Sequence, residues 1–101
     1  MNLMLTPEWY FDPFARRFVA FANSDEACSR YDFAEDGVAL RKSPKRTSGS
    51  FAEAYGGELR SMHRIGSLSI HLSIQDAVKR GKLSDVVLAE LRRNLPKPSS
   101  T

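Results

Sequence analysis

Apolar residues near the C-terminus recur at spacings of three and four, which is the period of a helix with one buried face. They are Leu83, Val86, Val87, Leu91 and Leu95. Ser84 stands before most of this run as a candidate N-cap, and Asn94 and Pro96 are stop signals at its end. The pattern predicts a helix over residues 84–94.

A shorter helix is predicted directly before it, over residues 73–80. Ser73 is a suitable N-cap because its hydroxyl can accept a hydrogen bond from a backbone N–H of the first turn. Asp76 complements the positive end of the helix dipole. Gly81 then supplies the left-handed residue that ends many helices. Two short helices joined by a tight turn are therefore expected in this part of the chain.

Aromatic residues, which are typical of strands, dominate the N-terminal part of the chain. Six of the ten aromatic side chains fall within residues 9–21. Asp12-Pro13 is a turn signal, so residues 8–11 and 17–22 are predicted to be the two strands of a hairpin. The second strand is apolar on both faces, and we expect the helices to cover one of them.

A second hairpin is predicted over residues 27–42. Asp36-Gly37 is typical of a two-residue type I′ turn, in which both central residues have positive φ. The segment 38–40 would return as a strand. Residues 43–50, with the sequence SPKRTSGS, contain proline, glycine and small hydroxyl side chains, and they predict a loop.

A third helix is predicted over residues 50–64. Ser50 and Glu53 match a capping box. The apolar stripe of this segment consists of Phe51, Tyr55, Leu59 and Met62. Gly56-Gly57 interrupts the stripe, which indicates either a kink or the close approach of another element. Residues 67–71 are either an extended link or a fifth strand.

These elements predict an α+β fold, with a small antiparallel sheet in the N-terminal half packed against two to three short helices in the C-terminal half, on one face. The 101 residues suit a single domain, placed at residues 1–96, with a disordered tail at 97–101. No apolar run approaches the roughly 20 residues that span a membrane. The only cysteine, Cys28, cannot form an internal disulfide. We therefore expect a cytoplasmic, intracellular protein without membrane contact.

The net charge of +3 conceals an uneven distribution. Residues 1–40 hold three Lys/Arg and seven Asp/Glu, whereas residues 41–101 hold twelve and five. Such asymmetry is typical of a basic surface for an anionic partner, or of one half docking on the other. The candidate contacts to an anionic partner are Arg41, Lys42, Lys45, Arg46, Arg92 and Arg93. The alternative for the first four is a solvated loop that discourages strand pairing.

The aromatic cluster offers a candidate interface at Trp9, Tyr10 and Phe14. Exposed aromatic rings anchor protein interfaces and can stack on nucleic-acid bases. The alternative is that these rings pack in the core, which the acidic character of residues 1–40 favours over contact with nucleic acid.

Catalytic chemistry has little support in the sequence. Cys28, His63 and His71 stand at no spacing that is typical of a metal site or of a nucleophile with its base. No glycine-rich phosphate-binding loop is present. We expect no cofactor, no metal and no enzymatic activity, and any chemical role of these three residues stays open.

The segment 72–92 resembles two known motifs. With its start at Ser73, it is similar to a DNA-binding helix-turn-helix, in which Ala77, Gly81 and Val87 would be the small residue, the turn glycine and a buried aliphatic residue. It also resembles the helical half of a plakin repeat, and the matching residues are Leu72-Ser73, Ala77, Arg80-Gly81, Leu83 and Leu91. The plakin resemblance implies two antiparallel helices and a role in protein–protein attachment.

These observations favour a small non-enzymatic protein that binds another protein, as an adaptor, inhibitor or regulator, or that binds itself as a homodimer. The alternative is a nucleic-acid-binding protein that uses the basic 41–46 segment and the C-terminal helical hairpin.

Overall fold

A five-stranded antiparallel sheet forms the centre of the computed structural model, which describes residues 7–23, 27–69 and 73–95. The spatial order of its strands is β4-β3-β2-β1-β5. The strands are β1 (Glu8–Asp12), β2 (Arg17–Asn23), β3 (Ala27–Ala34), β4 (Lys45–Ser48) and β5 (His63–Gly66). The helices are α1 (Phe51–Leu59), α2 (Ile74–Arg80) and α3 (Asp85–Arg93). The expected α+β fold, a small antiparallel sheet packed against short helices, is confirmed.

Helices cover both faces of the sheet, because β2 alternates apolar residues on each side. On one face, Phe18 and Phe33 pack with α2 and α3, including the fully buried Leu91. On the other face, Val19 and Phe21 pack with Tyr55 of α1. The expectation that all helices share one face is therefore wrong. Each apolar face of β2 is instead buried under its own helices.

The turn after β3 differs from the expected type I′ turn. The Gly37 N–H donates to the Ala34 carbonyl at 2.8 Å, and the Ala34 N–H donates to the Val38 carbonyl at 2.8 Å. Gly37 has φ 95°, but Asp36 does not have positive φ. The geometry is therefore a type I turn followed by a glycine bulge, which needs positive φ at one residue only.

The segment 38–40 forms isolated bridges rather than the expected strand. The Ala39 N–H donates to the Gly81 carbonyl at 2.8 Å, and the Leu40 N–H donates to the Asp32 carbonyl at 2.9 Å. This segment is therefore held between β3 and the turn that follows α2. The partner of β3 along residues 27–30 is β4, which lies where the sequence predicted a loop.

Helix α1 ends earlier than expected, at Leu59, and the fifth strand, β5, occupies 63–66, before the segment 67–71 for which a strand was one of two alternatives. Gly66, with φ 94°, ends β5 beside a register shift against β1. The kink in α1 lies at Tyr55, which has φ −125° and ψ 18°, so Gly56-Gly57 follows the kink within the helix. Residues 70–72 lie outside the described residues, as do the Asp25-Glu26 part of the β2–β3 connection and the expected tail at 97–101.

The C-terminal helices begin and end where the sequence predicts. The Ser73 hydroxyl accepts from the Asp76 N–H, and the Ser84 hydroxyl accepts from the Val87 N–H. Gly81 is left-handed at φ 85° and ends α2. These caps are local, so they were readable without knowledge of the sheet.

Candidate functional site

Strand β4 is one edge of the sheet and carries the densest basic sequence of the chain. Its register with β3 is regular, from Ala27 opposite Ser48 to Arg30 opposite Lys45. The Thr47 hydroxyl lies 3.1 Å from the Tyr55 hydroxyl, which places Thr47 on the α1 side. Side chains alternate along a strand, so Lys45 also lies on the α1 side and Arg46 lies on the opposite side. Both sides of β4 therefore present a cation.

Four cations at this edge have no acidic partner among the described residues. They are Arg41, Lys42, Lys45 and Arg46, all exposed. None of them forms an ion pair with any residue in the described ranges. The structure thus brings together the four candidate contacts that lie within the 41–46 segment.

Three further cations lie at the end of α2 and in the turn after it, namely Lys79, Arg80 and Lys82, all exposed. Val38 forms a β-bridge with Lys82, and the Ala39–Gly81 hydrogen bond holds the same turn against the 38–40 segment. Arg41 follows this segment by one residue. We call the seven cations together the basic surface. The basic end of α2 was visible in the sequence, but its position beside residues 38–41 depends on long-range pairing.

Two apolar side chains lie in the 38–40 segment, which pairs with the turn after α2 and leads directly into the 41–46 cations. Val38 is 44% exposed and Leu40 is 46% exposed, although both belong to a segment fixed by backbone hydrogen bonds. A mixed apolar and cationic surface on a fixed backbone is suited to contact with a partner that is acidic but not uniformly polar.

Arg92 and Arg93, which the sequence grouped with the 41–46 cations, lie elsewhere. Arg92 donates to the Glu35 carbonyl at 3.3 Å, and Arg93 forms an ion pair with Glu90 at 3.4 Å. Both stand at the end of α3, where the Asn94 carbonyl lies 3.0 Å from Nε2 of His63 in β5. The structure thus separates these two arginines: Arg93 is paired within α3, whereas the Arg92 guanidinium lies against the turn that leads from β3 into the 38–40 segment.

The candidate aromatic interface is corrected by burial. Trp9 and Tyr10 are buried, in the cores on the two different faces of the sheet, so neither is available to a partner. Phe14 is 84% exposed in the β1–β2 turn, which Asp12 holds by accepting from the Phe14 and Ala15 N–H groups. The sequence could not distinguish the buried rings from the exposed one, because strand alternation shows which face a side chain is on but not whether another element covers that face.

A buried ionic network lies under α1, beside β4. Asp32 accepts from Arg17 and Arg30 at 2.9 Å each, and Arg30 also donates to Glu58 at 2.8 Å. The Arg30 guanidinium lies 5.1 Å from the centre of the Tyr55 ring. Burial alone would raise the pKa of Asp32, but the hydrogen bonds and charges of the two arginines outweigh it and hold that pKa below its ordinary value.

The same contacts act on Arg30 in the opposite sense. Burial alone would lower its pKa, but the carboxylates of Asp32 and Glu58 raise it above its ordinary value. Arg30 is thus a compensated cation directly opposite Lys45, which has no partner among the described residues. The network stabilises the fold and offers no free carboxylate, because both of its acids are in ion pairs with its own arginines.

Residues that could carry chemistry are dispersed in the described part of the chain. Cys28 is buried in the core under α1, and His63 contacts the end of α3. His71 lies outside the described residues. Within those residues, no group of three His, Cys, Asp or Glu side chains could hold a metal ion. In the same ranges, no helix has the length and apolar character needed to cross a membrane.

Comparison with known proteins gives no relative from which a function could be taken. No protein-family model matches the chain, and neither the curated proteins nor the solved structures contain a significant match.

Proposed function

We propose that this chain is a small, non-enzymatic protein-binding protein, an adaptor, inhibitor or regulator, whose basic surface contacts an acidic partner protein. The observation that carries the proposal is the set of seven exposed cations that have no ion pair within the described residues. Complementary charge accelerates association and excludes wrong partners. The resemblance of 72–92 to a plakin repeat points to the same class of function, attachment to another protein.

Exposed apolar side chains in the 38–40 segment favour a protein partner over nucleic acid. Val38 and Leu40 supply exposed apolar area there, which a protein partner can bury. Proteins that bind single strands combine cations with aromatic rings on which bases stack. Trp9, Tyr10 and Tyr31 are buried, and Phe14 belongs to the β1–β2 turn rather than to the segments that form the basic surface.

Nucleic-acid binding is the second candidate, and the same uncompensated cations favour it. Phosphate contacts would make the affinity fall steeply with salt, by a factor that grows with the number of cations engaged. Arg93 would add little, because it is paired with Glu90, whereas Arg92 lies beside the turn that leads into the 38–40 segment and has no ion pair among the described residues.

The test is affinity capture from the native host with three versions of the chain: wild type, Arg46→Glu and Arg60→Glu. Arg46 and Arg60 are both exposed arginines without an ion pair among the described residues, but Arg60 caps α1 and lies outside the segments that form the basic surface. The two variants therefore change the net charge equally. The lysate is divided, and one half is treated with nuclease.

We expect a protein that is captured by the wild type and by Arg60→Glu, is lost with Arg46→Glu, and is retained after nuclease treatment. Capture that disappears with nuclease would favour the nucleic-acid alternative. A partner that binds all three versions equally would show that the basic surface is not the interface.

A further inference from the structure

We propose that the outer edge of β4 binds an extended acidic segment of the partner as a sixth strand of the sheet. This inference rests on the proposed function and names the chemistry of the occupant. It follows from three features of the edge: a backbone whose outer side pairs with no described strand, cations on both sides of the sheet, and residues before and after β4 that end the strand.

Among the described strands, only β3 pairs with the backbone of β4, and it does so on one side. Its ladder with β3 runs through four residue pairs without a register shift, and no described strand pairs with its outer side. An edge of this kind presents unpaired N–H and C=O groups that can bond to another extended chain. Thr47 fixes the strand to α1 through Tyr55, so the edge is already in its pairing conformation.

The opposite edge of the sheet lacks these properties. The β5 strand has a register shift against β1 between Trp9 and Tyr10, and such bulges twist an edge away from further pairing. Its cation, Arg64, is already paired with Glu8 at 3.2 Å. A strand added there would find an irregular backbone and no free charge, so the proposal is specific to β4.

Charge decides which strand β4 accepts. Lys45 and Arg46 lie on opposite sides of the sheet, so carboxylates at neighbouring positions of an added strand would each oppose a cation. A second copy of β4 would instead bring two further cations and no carboxylate to the edge, which disfavours self-association through it. Basic residues on edge strands commonly prevent aggregation in this way, and the same repulsion leaves the edge open to an acidic chain.

The chain on either side limits the added strand. Pro44, directly before β4, has no backbone N–H to donate. Gly49, with φ 83°, turns the chain away directly after β4, and α1 begins at Phe51. The paired stretch is thus about four residues, or roughly 13 Å at strand spacing. Acidic residues beyond it would come close to Arg41 and Lys42.

The experiment uses labelled synthetic peptides and fluorescence anisotropy on the full chain. The first peptide alternates pairs of glutamates with pairs of valines, so that the two glutamates of a pair lie on opposite sides of the strand. The second has the same glutamates but prolines in place of the valines, so it keeps the charge and loses the ability to form a strand. A labelled DNA oligonucleotide, single-stranded, is the third probe. Each is titrated into the wild type, Arg46→Glu and Arg60→Glu, and Lys45→Glu is the second edge variant if Arg46→Glu does not fold by circular dichroism.

We expect the glutamate–valine peptide to bind the wild type and Arg60→Glu alike, and to bind the edge variant about 10-fold more weakly or worse, the scale of a lost close charge pair. We expect the proline peptide to bind much more weakly than its valine counterpart. Hydrogen exchange measured with the bound peptide should show slower exchange at 45–48 than in the free chain.

Three outcomes would overturn strand addition. If both peptides bind equally and exchange at 45–48 is unchanged, the basic surface binds acidic chains by charge alone, and the proposed function stands without the sixth strand. If neither peptide binds but the oligonucleotide does, both proposals fail. If no probe binds, strand addition fails, and the capture experiment with Arg46→Glu and Arg60→Glu decides the proposed function independently.

Discussion

Replacement of Asp32 by asparagine should remove the centre of the buried network. The Asp32 side chain has no exposed area and accepts from both Arg17 and Arg30. Asparagine has nearly the same shape, so the change leaves no cavity and isolates the loss of the carboxylate charge. Arg30 would keep Glu58 as its only acidic partner, and Arg17 would have none among the described residues.

Breaking a buried ion pair by removing one partner costs about 3–5 kcal/mol, because a buried charge loses its compensation. We expect the lower end here, about 3 kcal/mol, since Arg30 retains Glu58 and Arg17 is one-third exposed. A domain of this size has a total stability on the order of 5–15 kcal/mol, so the loss is a large part of it.

The effect should depend on pH with a definite sign. The pKa of Asp32 is lower in the folded than in the unfolded chain, so its contribution is present above the unfolded pKa and is lost as pH falls through the folded pKa. Asparagine has no such titration. The gap in stability between wild type and Asp32→Asn should therefore be constant near neutrality and shrink below about pH 4.

Urea unfolding at pH 7 and at several lower pH values measures this gap. The control is Glu35→Gln, which removes the acid of the exposed pair with Arg16, whose side chains are 47% and 68% exposed. An exposed pair contributes less than about 1 kcal/mol, so this variant should change stability little. A gap below about 1 kcal/mol for Asp32→Asn, or one that does not shrink in acid, would refute the assignment of the network as a stabilising element.

Three further pairs of substitutions test a turn glycine, the core and a helix cap, each by urea unfolding. Gly37→Ala should destabilise by about 1–2 kcal/mol, because φ is 95° and the added methyl would lie 3.3 Å from a leucine of α3. In Gly57→Ala the added methyl meets no atom within 4 Å, so this substitution within a helix should stabilise the fold by roughly 0.5–1 kcal/mol. Leu91→Ala, at a fully buried position, should cost about 2–5 kcal/mol, and Val86→Ala, which is exposed, less than about 0.5 kcal/mol. Ser84→Ala should cost about 1 kcal/mol through the lost N-cap of α3, and restoration of the loss by Ser84→Asp would distinguish capping from packing.

The sequence predicted well the elements whose signals are local. Ser73, Gly81 and Ser84 fix the ends of α2 and α3 through bonds to residues at most four positions away. The apolar character of both faces of β2 was also visible. The sequence could not reveal that α1 covers one face while α2 and α3 cover the other, because that division depends on the path of the whole chain.

The errors lie where pairing is long-range. Residues 45–48 have the composition of a loop, and they form β4 because β3 offers an open edge along 27–30. The segment 38–40 has the composition of a strand, but backbone bonds to Gly81 and Asp32 fix it between two elements. The two basic groups that form the basic surface were therefore each visible in the sequence, whereas their proximity was not.

The basic surface and the buried network have a common origin in how the acids of the chain are used. Among the described residues, five acids are in ion pairs: Glu8, Asp32, Glu35, Glu58 and Glu90. The others hold turns or lie in the first turns of helices: Asp12, Asp36, Glu53, Asp76 and Asp85. No described acid remains for the cations around β4. In the described part of the chain, the pairing that stabilises the fold thus leaves the positive charge at one edge of the sheet without an acidic partner, and we propose that this charge is available to a partner from outside.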